Sequence, residues 1–144
     1  MKTIIKKFST YQIGGAVIRK LILLASCLWI LAACASQNID KEHLAYIDNL
    51  GWTIQSFDLT EQVTLSLASE TIANYKAATI NFMEGYIGKE VTITSYTLKE
   101  KDSENDHLTV FIYEYQGEII GAIGKIPNAT PGIFNPANKA ALEL

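Results

Sequence analysis

Two histidines, His43 and His107, and three alternating carboxylates, Asp102, Glu104 and Asp106, are the residues of this 144-residue chain whose types suit acid–base or metal chemistry. A histidine oriented by a carboxylate can move a proton near neutral pH, and two carboxylates can divide the roles of acid and base. A zinc site needs three or four ligands, and the chain has neither an H-x-x-x-H nor a C-x-x-C pattern. It also lacks the G-x-S-x-G elbow of a serine nucleophile. Asp106 and His107 meet at the start of an expected strand, where neighbours point to opposite faces, so the carboxylate is poorly placed to orient the ring. Both histidines are therefore expected on the surface. Asp102 opens a spacing like the first half of a calcium loop. The sixth position is His107 where such loops have Gly, and the twelfth is Tyr113 where they have Glu. That predicts a charged loop, with no metal and no cofactor.

The two cysteines are Cys27 and Cys34. Residues 1–20 hold Lys2, Lys6, Lys7, Arg19 and Lys20 and no acid, and the run from Leu21 to Ala33 is uncharged. A basic region, a short apolar region and small residues are the parts of an exported precursor's leader. Thirteen apolar residues make about 20 Å of helix, short of the roughly 20 residues that a membrane span needs. Leu31-Ala32-Ala33-Cys34 closes the run and resembles the lipobox of bacterial lipoprotein precursors. The resemblance implies cleavage between Ala33 and Cys34 and a thioether from the Cys34 sulfur to diacylglycerol. Residues 1–33 would then be a signal peptide and 34–38 a lipidated tether. The protein would be exported and held by lipid on the outer face of the cell membrane, or on an outer membrane where the organism has one. Cys27 would leave with the leader, so no disulfide can form within the mature chain.

The remaining 111 residues contain all fifteen acids, seven lysines and no arginine, a formal charge of −8 where the whole chain has −3. Such a domain is unsuited to nucleic acid, whose phosphates are met by Lys and Arg. Anionic headgroups would repel it, leaving the lipid as its hold on the membrane.

The elements that must position any site follow from periodicity. Asp40 or Asn38 caps a helix carrying Leu44, Ile47 and Leu50 on one face, with Gly51 at its end. Trp52 to Leu65 reads as extended. Ser66 is placed to cap a second helix over about 67–83. Strands are expected over 91–98, 108–115 and 118–126, with a hairpin at Gln116-Gly117 and a charged loop from Lys99 to Asp106. The fold class is α+β: two helices packed on an antiparallel sheet of about four strands, with a C-terminal three-strand meander. The domain spans 39–134, and 135–144 is expected to be a poorly ordered tail.

Along this framework stand Leu50-Gly51-Trp52, Asn74-Tyr75, Tyr86-x-Gly88-Lys89-x-Val91, Tyr96-Thr97 and Tyr113-x-Tyr115-Gln116-Gly117-Glu118-Ile119-Ile120-Gly121. In order and spacing they resemble the landmarks of domain-of-unknown-function family 4830, a bacterial family of lipid-anchored or membrane-tethered proteins. The family often has Gly-Gly-Asp where this chain has Gly121-Ala122-Ile123, so its acid is absent here. The resemblance implies the fold and the address and brings no activity. Trp52, Tyr96, Tyr113 and Tyr115, with Phe111, form a candidate binding face, unless the same face packs under the helices as core. The expectation is a non-enzymatic, lipid-anchored binding or accessory module for an envelope protein or a small ligand. The alternative is a small envelope hydrolase using His107, or Glu104 with Asp106.

Overall fold

The computed structural model describes residues 39–142. Helix α1 (Lys41–Asn49) starts where expected, because the Asp40 carboxylate accepts hydrogen bonds from the Glu42 and His43 backbone N–H groups at 2.7 and 3.2 Å. Those donors hold the Asp40 carboxyl below its ordinary range. Strands β1 (Ile54–Thr64), β2 (Glu90–Lys101), β3 (His107–Tyr115), β4 (Glu118–Lys125) and β5 (Ile133–Phe134) form one antiparallel sheet in sequence order. The α+β class and the C-terminal meander are as expected, and the sheet gains a fifth strand. Gln116 and Gly117 both take positive φ, 53° and 82°, the backbone of a two-residue hairpin turn.

Strand β3 shows how the sheet is used. Leu108, Val110 and Ile112 point to one face and are fully buried. They join Ile47, Trp52, Ile54, Tyr96, Leu98 and Phe134 beneath α1. Phe111, Tyr113 and Tyr115 point to the other face, where Leu65, Ile80, Met83, Val91 and Ile123 gather. Alternation with period two has filled two cores, one on each side. Complete burial of each aliphatic side chain on the first face contributes about 1.5–3 kcal/mol.

The second helix departs from expectation. Helix α2 covers only Ser69–Ala77, is preceded by Ala68 and lacks a side-chain cap; a separate 3-10 helix follows at Phe82–Tyr86. Between them Thr79 turns left-handed, with φ 61°. Asn135 Nδ2 donates to the Thr79 carbonyl, and Asn138 Nδ2 donates to its hydroxyl at 2.8 Å. Hydrogen bonds from a distant segment thus end the helix and turn Ile80 and Met83 into the second core.

The segment expected as a loose tail supplies those donors. Pro136–Ala141 forms a 3-10 helix opened by Asn135, whose side chain accepts from Ala137 N–H. The Trp52 indole N–H donates to the Pro136 carbonyl at 2.7 Å. Lys139 stands 4.3 Å over the indole, pairs with Glu100 at 2.8 Å and donates to the Gly51 carbonyl.

Gly124 lies under the Phe134 ring so closely that a Cβ there would strike the ring. Phe134 in turn stacks at 5.3 Å on Trp52. Gly124→Ala should therefore displace Phe134 and lower stability by about 1–3 kcal/mol in urea unfolding. Gly117→Asn, at a turn where Asn also tolerates positive φ, should cost well under that.

Candidate functional site

The second face of the sheet is only half covered. Helix α2 and the 3-10 helix lie over the end carrying Leu65, Val91, Tyr113 and Tyr115. Toward the other end, register sets Leu59 opposite Ser95, Ser95 opposite Phe111, and Phe111 opposite Ile123. The neighbouring row runs from Glu61 through Ile93 to Tyr113. Lys125 opposes Thr109 on one side and Ile133 on the other. Leu59 on the edge strand is 54% exposed.

A groove of about 340 Å³ crosses this surface. Ile93, Phe111, Ile123 and Ile133 supply an apolar lining, Tyr75 reaches it from α2, and Glu61 and Lys125 bring opposite charges. The Tyr113 phenol is pushed up chiefly by burial, then by the neighbouring Tyr75 and the Glu61 carboxylate. Burial also raises Tyr75. Both phenols therefore stay protonated beside Glu61 and can donate hydrogen bonds into the groove. An apolar floor with a few polar groups around it is the usual make-up of a small-ligand site.

The aromatic face expected from the sequence does not exist as one surface. Trp52 and Tyr96 are each 1% exposed and lie in the first core; Tyr113, at 8%, lies in the second. The register explains the split: Tyr96 opposes Val110, whereas Tyr113 opposes Ile93, and these pairs alternate across the sheet. Tyr115 shares the second face but packs on Tyr86 at 5.3 Å, with the Lys89 ammonium about 5 Å from both rings. Of the four expected residues, Tyr113 alone borders the groove. Glu61 and Lys125 were missed because their strands are three apart in the sheet, and only register brings them to one side.

His43 is not on the surface. It is 4% exposed, with Nδ1 2.8 Å from the Tyr96 hydroxyl and Nε2 3.2 Å from Glu114 Oε2. A neutral imidazole that donates from Nε2 to the carboxylate accepts the Tyr96 O–H at Nδ1, so every polar atom is satisfied. The Tyr96 phenol is pushed up to about 12, mainly by burial, with the Asp40 and Glu114 charges adding. The chain of groups resembles a proton relay in form, but its hydroxyl and ring are buried, and it fastens the first turn of α1 to β2 and β3.

His107 is half-buried, and its Nδ1–H donates to the Leu98 carbonyl at 2.8 Å. Asp102 accepts from the Glu104 and Asp106 backbone N–H groups, both at 2.9 Å, and Asp106 accepts from Asn128. These carboxylates shape a loop, and no hydrogen bond or ion pair joins His107 to Glu104 or Asp106 among the described residues. Among those residues no group of three His, Cys, Asp or Glu side chains is placed to hold a metal ion. Leu31, Ala32, Ala33 and Cys34 lie outside the described residues. Compared with protein-family models, curated proteins and solved structures, the chain matches none.

Tyr96→Phe leaves His43 Nδ1 without its partner and should cost about 1–3 kcal/mol in urea unfolding. The pH profile separates this from simple loss of packing. A phenol that ionises near 10 when unfolded and near 12 when folded stabilises the fold below 10, and that contribution disappears as pH climbs through 12. Stability of the wild type should fall over this interval more steeply than that of Tyr96→Phe.

Proposed function

We propose that this protein is an exported, lipid-anchored binding module of a bacterial envelope, held by Cys34 and binding through the groove on the open half of its sheet. The carrying observation is that groove: Ile93, Phe111 and Ile133 stay only partly buried along the open side of the second core. Binding there would bury the apolar strip, which is the usual drive for association. The address rests on the basic leader and on Leu31-Ala32-Ala33-Cys34. Diacylglycerol brings two acyl chains, enough for stable anchoring. The landmark motifs that resemble domain-of-unknown-function family 4830 support the same combination of tether and α+β domain. The hydrolase reading has less behind it, since the His107 ring donates to the Leu98 carbonyl, the Asp106 carboxylate accepts from Asn128, and neither bonds to the exposed Glu104.

Two measurements test the two halves of this reading. Cys34→Ser should abolish labelling by radioactive palmitate and move the protein out of the membrane fraction; unchanged labelling overturns the anchor. A photo-crosslinking amino acid at Ile93 or Phe111 should capture a partner or ligand in intact cells. The same probe at Leu44, which is exposed on α1, should not. Equal capture from both positions, or none from the groove, removes the groove as the binding surface.

A further inference from the structure

The two ends of the groove differ in charge and are far apart. Glu61 stands on the edge strand β1, and Lys125 on β4, three strands away. At about 4.8 Å per strand spacing this is ~14 Å across the sheet. The Glu61 row includes Tyr113, and the Lys125 row includes Thr109, four residues along β3. Four residues at about 3.4 Å add ~14 Å along the strands. The backbone positions are therefore roughly 20 Å apart on the diagonal, so the charges lie about 10 Å apart if both side chains lean inward and ~20 Å apart if both stand upright on the sheet.

Neither charge is neutralised within the domain. The ion pairs among the described residues are His43–Glu114, Lys76–Glu84 and Lys139–Glu100, and neither Glu61 nor Lys125 takes part in one. They are too far apart to pair with each other. Between them lies the apolar strip of Ile93, Phe111, Ile123 and Ile133. At the acidic end, the phenols of Tyr75 and Tyr113 stand beside Glu61.

The geometry points to a short zwitterionic peptide as the occupant, with its terminal ammonium at Glu61, its terminal carboxylate at Lys125 and apolar side chains on the strip between them. Each ion pair takes about 3 Å, and an extended chain advances about 3.4 Å per residue, so about three residues fit midway between those limits, at ~15 Å between the two charges. A single amino acid is too short to meet both charges. A fatty acid would satisfy Lys125 and the strip but leave Glu61 without a partner. The charge of −8 carried by residues 34–144 favours approach by the ammonium end. This assignment rests on the groove being the binding surface, and it adds the class of ligand.

The test is calorimetric titration of the lipidated protein, in detergent, with the tripeptide Leu-Phe-Leu. Binding should weaken at least five-fold for the N-acetylated peptide, and likewise for the C-amidated one. Glu61→Gln should weaken the free peptide by a similar factor and make N-acetylation matter little; Lys125→Met should do the same for C-amidation. Both positions are exposed, so unfolding midpoints should stay close to the wild type. Exchanging the charges, with Glu61→Lys and Lys125→Glu together, should restore much of the affinity, because the peptide can lie in the reverse direction. Absence of binding, or equal binding of the doubly capped peptide, overturns the peptide assignment. Crosslinks from Ile93 or Phe111 in cells would in that case still uphold the groove, so the two failures can be told apart.

Discussion

Strand β3 sits at the centre of the sheet, and its pleat is the constraint on which the rest depends. Because successive side chains leave a strand on opposite sides, nine residues supply both an aliphatic row for one core and an aromatic row for the other. A sheet with two apolar faces must be covered on both. The first face is closed by α1 and by the C-terminal segment locked to Trp52. The second is closed by a helix of nine residues and a single 3-10 helix, too little chain to span it. The groove is what this shortfall leaves.

The covering elements are held by polar contacts as much as by apolar area. Helix α1 has two buried residues, and one of them is His43. Its imidazole ties the first turn to Tyr96 and Glu114, on adjacent strands. A buried polar group costs free energy unless its partners are in place, so this contact specifies one seating of α1 and penalises others. The Lys139 ammonium does the same at the far end of the chain, meeting Glu100, the Gly51 carbonyl and the indole of Trp52 at once. Burial raises Glu100, and the bonds from Lys139 and from backbone donors outweigh it, so that carboxyl stays below its ordinary range.

Much of the fold was legible because its signals are local. The Asp40 cap, the Gln116-Gly117 turn and the alternation of β3 depend on residues within a few positions of one another. The second helix misled because the residues that end it, Asn135 and Asn138, are more than fifty positions from Thr79. The aromatic face misled for a related reason. Tyr96 and Tyr113 look alike in composition and both lie on strands, but register sends them to opposite sides. His43 looked like a surface residue on a charged helix start, and Glu114 is seventy-one positions away in the chain.

By itself, the sequence determined what depends on composition and short range: the charge division between residues 1–33 and the rest, the α+β class and the three-strand meander. Only tertiary structure decided which residues meet. Pairing register chose the face for each aromatic side chain, and a distant pair of asparagines chose the length of α2. The length of α2 in turn decided that part of the sheet stays open, with Glu61 and Lys125 on either side of it. The physical reason is that caps, turns and pleats are set by neighbouring dihedral angles, whereas register and coverage are set by contacts that exist only once the chain has closed on itself.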